Sequence, residues 1–113
     1  MNLPEEGTLL RIYIGETDKY NGKPVYEQIV LKARELNLAG ATVLRGVMGY
    51  GAHSRMHTAK ILELSADLPL VVEIVDTEEK LEKIKPFLDE VVREGLVTLE
   101  KVRVLKYRSN PRQ

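Results

Sequence analysis

The densest group of side chains able to do chemistry lies just beyond Gly46-Val47-Met48-Gly49-Tyr50-Gly51, where His53, Arg55, His57 and Lys60 follow in close succession. Arginine and lysine offer charge-assisted hydrogen bonds to phosphate, and unperturbed imidazoles titrate near neutral pH, so the group suits an anionic ligand. A solvated polar loop accounts for the same residues without a ligand. The three glycines allow close backbone approach or positive φ, but no clear helix follows them, so they are not a dinucleotide-binding fingerprint. They read either as hinges of a ligand-responsive loop or as a bulged hairpin. His53 and His57 stand four apart, the spacing of two metal ligands on one helix face, yet the stretch has no helical pattern and no adjacent glutamate of the HExxH kind. Ser54, Ser65 and Ser109 lack the context of a nucleophile elbow. With no cysteine, a thiolate nucleophile, a disulfide framework and a cysteine-ligated zinc are excluded.

These residues need a scaffold, and hydropathy periodicity supplies its order. Thr8 to Ile14 alternates as a strand, with Leu10, Ile12 and Ile14 on one face and Leu9, Arg11 and Tyr13 on the other. Residues 15 to 23 are polar and turn-rich, a loop. Pro24 suits the first turn of a helix whose stripe is Val25, Ile29, Ala33 and Leu36, ending near Asn37 to Gly40. Ala41 to Met48 gives a second strand, Thr58 to Leu64 an irregular third, and Leu68 to Val75 its apolar continuation after a Ser65-Ala66-Asp67 turn. Asp76 is the expected cap of a second helix, with Glu79 as its capping-box partner and Leu81, Ile84, Leu88 and Val91 as its buried stripe. Pro86 predicts a break in that helix. Gly95 ends it, Leu96 to Tyr107 is the last strand, and residues 109 to 113 form a tail.

The order β-α-β-β-α-β predicts an α+β, ferredoxin-like sandwich with both helices on one face of a four-stranded antiparallel sheet. A chain of 113 residues fits one domain, its core spanning about 8 to 107. On the helix-free face, Leu9, Arg11 and Tyr13, joined by Arg103, Leu105 and Tyr107, make a mixed apolar and charged surface that predicts self-association with closed symmetry. Seventeen basic and seventeen acidic side chains cancel, which removes the field that general nucleic-acid binding needs. No apolar run reaches a membrane span, and Met-Asn-Leu-Pro-Glu-Glu is no secretory leader, so the expected location is the cytoplasm.

GETDKYNGKPVYE, LAGATVLRGVMGYGAHS and LPLVVEIVDTEEKL, in this order, resemble the uncharacterised PII-like protein family over nearly the whole chain. More distantly, GYGAHSRMHT is similar to the GFGRQKGHT stretch at the base of the T-loop in PII signalling proteins. The resemblance implies a ferredoxin-like homotrimer whose sheets line the centre, with an adenine nucleotide bound in the clefts between subunits. Carried over, the nucleotide-binding positions are Thr42, Gly49, Tyr50 and Gly51, with Lys101 as the phosphate-loop lysine. His53, Arg55, His57 and Arg103 are the further candidates. PII proteins have a glycine-rich turn before that lysine; this chain has Val97-Thr98-Leu99-Glu100, whose side chains crowd the backbone approach and whose carboxylate repels phosphate. AMP or ADP is therefore favoured over ATP. Residues 15 to 23 are an insertion relative to those proteins and could close the same pocket.

The expected function is a PII-like regulatory or sensor protein without turnover, signalling through the 50 to 57 loop to a protein partner, with no metal. The alternatives on the same fold are a small phosphate-handling enzyme and a metal-binding trimer using His53 and His57. Against the enzyme, an acylphosphatase would need an arginine-bearing phosphate loop after the first strand, where Gly15-Glu16-Thr17-Asp18 is acidic.

Overall fold

A computed structural model describes residues 5–51, 57–58 and 67–109. The elements are β1 (Glu6–Gly15), a hairpin of β2 (Lys19–Tyr20) and β3 (Lys23–Pro24), α1 (Val25–Glu35), β4 (Ala41–Arg45), a ribbon of β5 (Met48–Gly49) and β6 (His57–Thr58), β7 (Pro69–Asp76), α2 (Glu78–Leu81), a 3-10 turn (Glu82–Ile84), α3 (Lys85–Val91) and β8 (Leu96–Arg103). Four strands form an antiparallel sheet in the order β4-β7-β1-β8. This is the ferredoxin-like arrangement that the element order predicts.

Alternation along the two central strands decides which face is buried. Leu10, Ile12 and Ile14 of β1 lie opposite Ile74, Val72 and Leu70 of β7. These six pack with Val25, Ile29 and Ala33 of α1 and with Leu81, Ile84, Leu88 and Val91 of the second helical segment. Complete burial of a side chain such as Ile12 or Ile29 contributes roughly 1.5–3 kcal/mol. Helix α1 ends in a Schellman motif. Asn37 takes φ 59°, the Asn37 amide donates to the Arg34 carbonyl at 3.0 Å and the Leu38 amide to the Ala33 carbonyl at 2.9 Å, while Leu38 and Ala33 both enter the core.

Several local expectations change for identifiable reasons. The 15 to 23 loop contains the β2–β3 hairpin, turned by Asn21 (φ 54°) and Gly22 (φ 79°), the two positive φ values an Asn-Gly hairpin turn needs. Pro24, with ψ 131°, precedes α1 instead of opening it. Asp76 does not cap α2, because β7 continues through it. Thr77 is the N-cap and its side chain accepts from the Lys80 amide, so a capping box would need its glutamate at Lys80 and not at Glu79. Pro86 divides the second helix as expected, sitting in the first turn of α3, where no hydrogen bond is lost. Gly95 has φ 155°, and a Cβ there would stand 2.4 Å from the Tyr13 carbonyl oxygen, so the chain turns into β8 against bare backbone.

The second strand stops at Arg45 and not at Met48. The Gly46 amide donates to the Pro69 carbonyl at 2.7 Å, and Met48-Gly49 then pairs with His57-Thr58 in a separate ribbon. The last strand ends at Arg103, opposite Glu6, and not at Tyr107. Of the predicted irregular strand 58 to 64, residues 59–64 lie outside the described residues, as do Ser65 and Ala66 of the turn after it.

Candidate functional site

Strand position determines where each candidate side chain can act. Thr42 is exposed on β4, opposite Glu73, and so lies on the helix-free face of the sheet. Gly49 is in β5, paired with His57. A Cβ at Gly46 would meet Pro69 Cγ at 3.0 Å and one at Gly49 would meet it at 3.3 Å, so packing on Pro69 accounts for both glycines and favours the bulged-hairpin reading. Gly51 differs, because among the described residues nothing lies within 4 Å of a Cβ built there. Tyr50, between them, is exposed. His57 is placed by its backbone pairing alone, and His53 and Arg55 lie outside the described residues.

Lys101 and Arg103 sit on β8, the opposite edge. They line a recess of about 470 Å³ together with Glu5, Glu6 and Val102. Arg103 donates to Glu5 Oε2 from Nε at 3.2 Å and from Nη2 at 3.0 Å. The recess is therefore balanced in charge, and Lys101 is its cation with no ion pair among the described residues. Register also corrects two expectations. Arg103 lies opposite Glu6, on the same face as Leu10, so it does not join Leu9, Arg11 and Tyr13; Leu105 and Tyr107 come after the strand has ended. Glu100 lies opposite Leu9, on the face away from Lys101, and approaches Arg11 at 3.7 Å. It does not oppose phosphate beside the lysine.

Two strands, β7 and β1, separate β4 from β8. At about 4.8 Å per strand spacing the two edges are about 14 Å apart, too far for Thr42 and Lys101 to grip one mononucleotide phosphate within a protomer. The helix-free face between them holds Tyr13, Leu44 and Leu96, exposed by 38%, 49% and 56%. At its centre Arg11 Nε donates to Glu73 Oε2 at 2.9 Å, a bond that raises the guanidinium pKa above its ordinary value. An aliphatic surface around a paired charge has the composition of a contact.

Residues 15 to 23 are tied to several elements. Gln28 Nε2 donates to the carbonyls of Tyr20 and Lys23, each at 3.0 Å, and the Tyr20 hydroxyl donates to Glu90 Oε2 at 2.7 Å. Toward the central segment, the Glu16 amide donates to the Leu68 carbonyl at 2.9 Å and the Thr17 amide to Asp67 Oδ1 at 3.1 Å, while Glu16 Oε2 pairs with Arg45. The turn at 15 to 18 thus holds the ends of β4 and β7 on either side of the 46–68 segment. Glu16 and Arg45 are 29 residues apart, and nothing in the local sequence marks them as partners. Among the described residues, no group of three or more His, Cys, Asp or Glu is arranged to hold a metal ion.

The family model for DUF190, described as "Uncharacterized ACR, COG1993", matches residues 7–104. The chain belongs to the DUF190 family. A UPF0166 protein of Aquifex aeolicus is 44% identical over 99 residues, covering 86% of this chain and 91% of that protein. The UPF0166 protein MJ1524 of Methanocaldococcus jannaschii is 35% identical over 99 residues, covering 87% and 91%. Among solved structures, CPII, a nitrogen regulatory PII-like protein from Thiomonas intermedia K12 bound to ADP, AMP and bicarbonate, superposes with a TM-score of 0.62 at 20% identity, covering 89% of this chain and 90% of that one. The fold of this DUF190 chain is therefore PII-like. None of its described helices is long and apolar enough to cross a membrane.

Proposed function

We propose that this DUF190 chain is a regulatory or sensor protein that binds an adenine nucleotide without turning it over. The observation that carries this reading is the division of the candidate residues between opposite sheet edges, with Thr42 and the Gly49–Gly51 turn at β4 and Lys101 and Arg103 at β8. Copies arranged in a ring bring the β4 edge of one protomer to the β8 edge of the next, and a homotrimer gives three equivalent clefts. The exposed aliphatic face with Arg11 at its centre supports such assembly. The likeness in fold to CPII, whose structure holds ADP and AMP, supports the ligand class.

Within the cleft, Lys101 meets the phosphate as a point charge, and Arg103 must exchange Glu5 for the ligand. The side chains of Val97-Thr98-Leu99-Glu100, standing where a glycine-rich turn would let backbone amides reach phosphate, favour AMP or ADP over ATP. Among the described residues nothing lies within 4 Å of a Cβ built on Gly51, which leaves room there for a ligand. His53, Arg55 and His57 complete the binding set from the central segment. Ligand that prefers one arrangement of residues 50 to 57 shifts the surface offered to a protein partner, and affinity without such a preference shifts nothing. The protein acts as one domain in the cytoplasm.

Calorimetric titration with AMP, ADP and ATP, combined with light scattering, tests the reading. The expected result is a trimer that binds AMP or ADP more tightly than ATP, with affinity reduced at least about tenfold in Lys101→Ala, the scale of one lost charge-assisted hydrogen bond. A monomer that binds none of the three overturns it.

A further inference from the structure

Beyond Arg103 the chain crosses the end of the sheet as a strap. The Val104 amide donates to the Glu5 carbonyl at 2.5 Å. A Cβ built on Gly7 would lie 3.3 Å from Val104 Cγ2 and 3.4 Å from Val75 Cγ1, so β1 is bare where the strap passes over it. Leu105 is 84% exposed and adds little packing. The Tyr107 hydroxyl then reaches the connection between α1 and β4, donating to the Ala39 carbonyl at 2.5 Å. The amide of the same residue donates to Asp76 Oδ2 at 2.8 Å. Both backbone polar groups of Ala39 are therefore held, one from the buried end of β7 and the other from the strap.

We infer that residues 104–107 act as a releasable brace joining the two edges of the sheet. The brace begins directly after Arg103 and ends three residues before Thr42, so its docking fixes both ends of the chain segments that present these residues. The hydrogen bonds from the Val104 amide and the Tyr107 hydroxyl hold it, and no ion pair among the described residues reinforces it. Elements with so few buried contacts open at the low end of a protein's range of local stabilities. A ligand that engages Thr42 or Arg103 better when the strap is docked shifts it toward that state. This last consequence rests on the nucleotide reading, whereas the docking itself does not.

Amide hydrogen exchange on the full chain and on Tyr107→Phe tests the brace, with ADP as the probe ligand. Losing one hydroxyl contact is expected to speed exchange at Val104 and across residues 38 to 41 by about two- to tenfold. Assembly size stays unchanged, and ADP affinity falls by a similar factor. Tyr107→Ala, which also removes the ring, exchanges faster still. Exchange at Val104 that neither substitution alters overturns the brace, whether or not ADP binds. A wild-type protein that does not bind ADP overturns the nucleotide reading, and the exchange comparison still decides the brace.

Discussion

Asp76 offers a quantitative test of how this chain holds its two halves together. Its carboxylate is 1% exposed and accepts from the Ala39 amide at 2.8 Å and from the Thr77 amide at 2.7 Å. It thereby fastens the α1–β4 connection to the end of β7 and the entry to α2. A hydrogen bond to a charged acceptor contributes roughly 1.5–3 kcal/mol. Ala39 and Thr77 are themselves only half-buried, so water can reach the abandoned amides and the lower figure applies to each. Asp76→Ala is therefore expected to cost about 3 kcal/mol, a large share of a typical stability of about 5–15 kcal/mol. Asp76→Asn keeps one acceptor but turns an NH2 donor toward the second amide, and about 2 kcal/mol is the expected loss. Urea denaturation at fixed protein concentration measures both, with an unchanged slope showing that the change is in stability. A cost below about 0.5 kcal/mol for Asp76→Ala, the range of an ordinary surface substitution, refutes the reasoning. A neutral Asp76→Asn refutes the double acceptance.

Tyr20 donates to Glu90, and that bond raises its phenol pKa above the ordinary value. A raised folded-state pKa means that the contribution is complete below the ordinary phenol range, near 10, and is lost as pH rises through the raised value. Ultraviolet titration of the five tyrosines should therefore show a late component that Tyr20→Phe removes, and identical curves contradict the assignment. On the helix-free face, Arg11→Glu sets a third carboxylate beside Glu73 and Glu100. Like charges juxtaposed at an interface cost several kcal/mol, so the variant is expected to scatter light as a monomer with its circular dichroism intact. Retention of the wild-type assembly size would show that this face is not the contact.

The sheet and both helical segments were legible because their residues repeat. Leu10, Ile12 and Ile14 alternate, Val25, Ile29 and Ala33 recur every turn, and Leu81, Ile84, Leu88 and Val91 do the same across the break at Pro86. The start of β8 directly after Gly95 was legible because local chemistry decides it, whereas α3 ends at Val91, four residues before the glycine expected to stop it. Boundaries were misplaced where distant backbone decides them: β8 leaves the ladder after Arg103 and crosses the end of the sheet toward Ala39, and β4 stops where Gly46 turns onto Pro69. Asp76 looked like a helix cap because its side chain suits that role, yet the demand for its carboxylate comes from Ala39, 37 residues away. The same limit applies to the site. The types of Lys101, Arg103 and Thr42 were readable, but their separation on opposite edges, the engagement of Arg103 by Glu5 and the turn of Glu100 to the far face follow from register alone.

Mixing two silent variants tests the shared cleft most directly. Lys101→Ala removes the cation of the β8 edge, and Gly51→Val fills open space beside the β4 edge. Each variant alone is expected to lose ADP binding in calorimetric titration. If each site draws on the β8 edge of one copy and the β4 edge of another, equal amounts refolded together regain about one functional cleft in four. A mixture as silent as its two components would contradict a site built between copies.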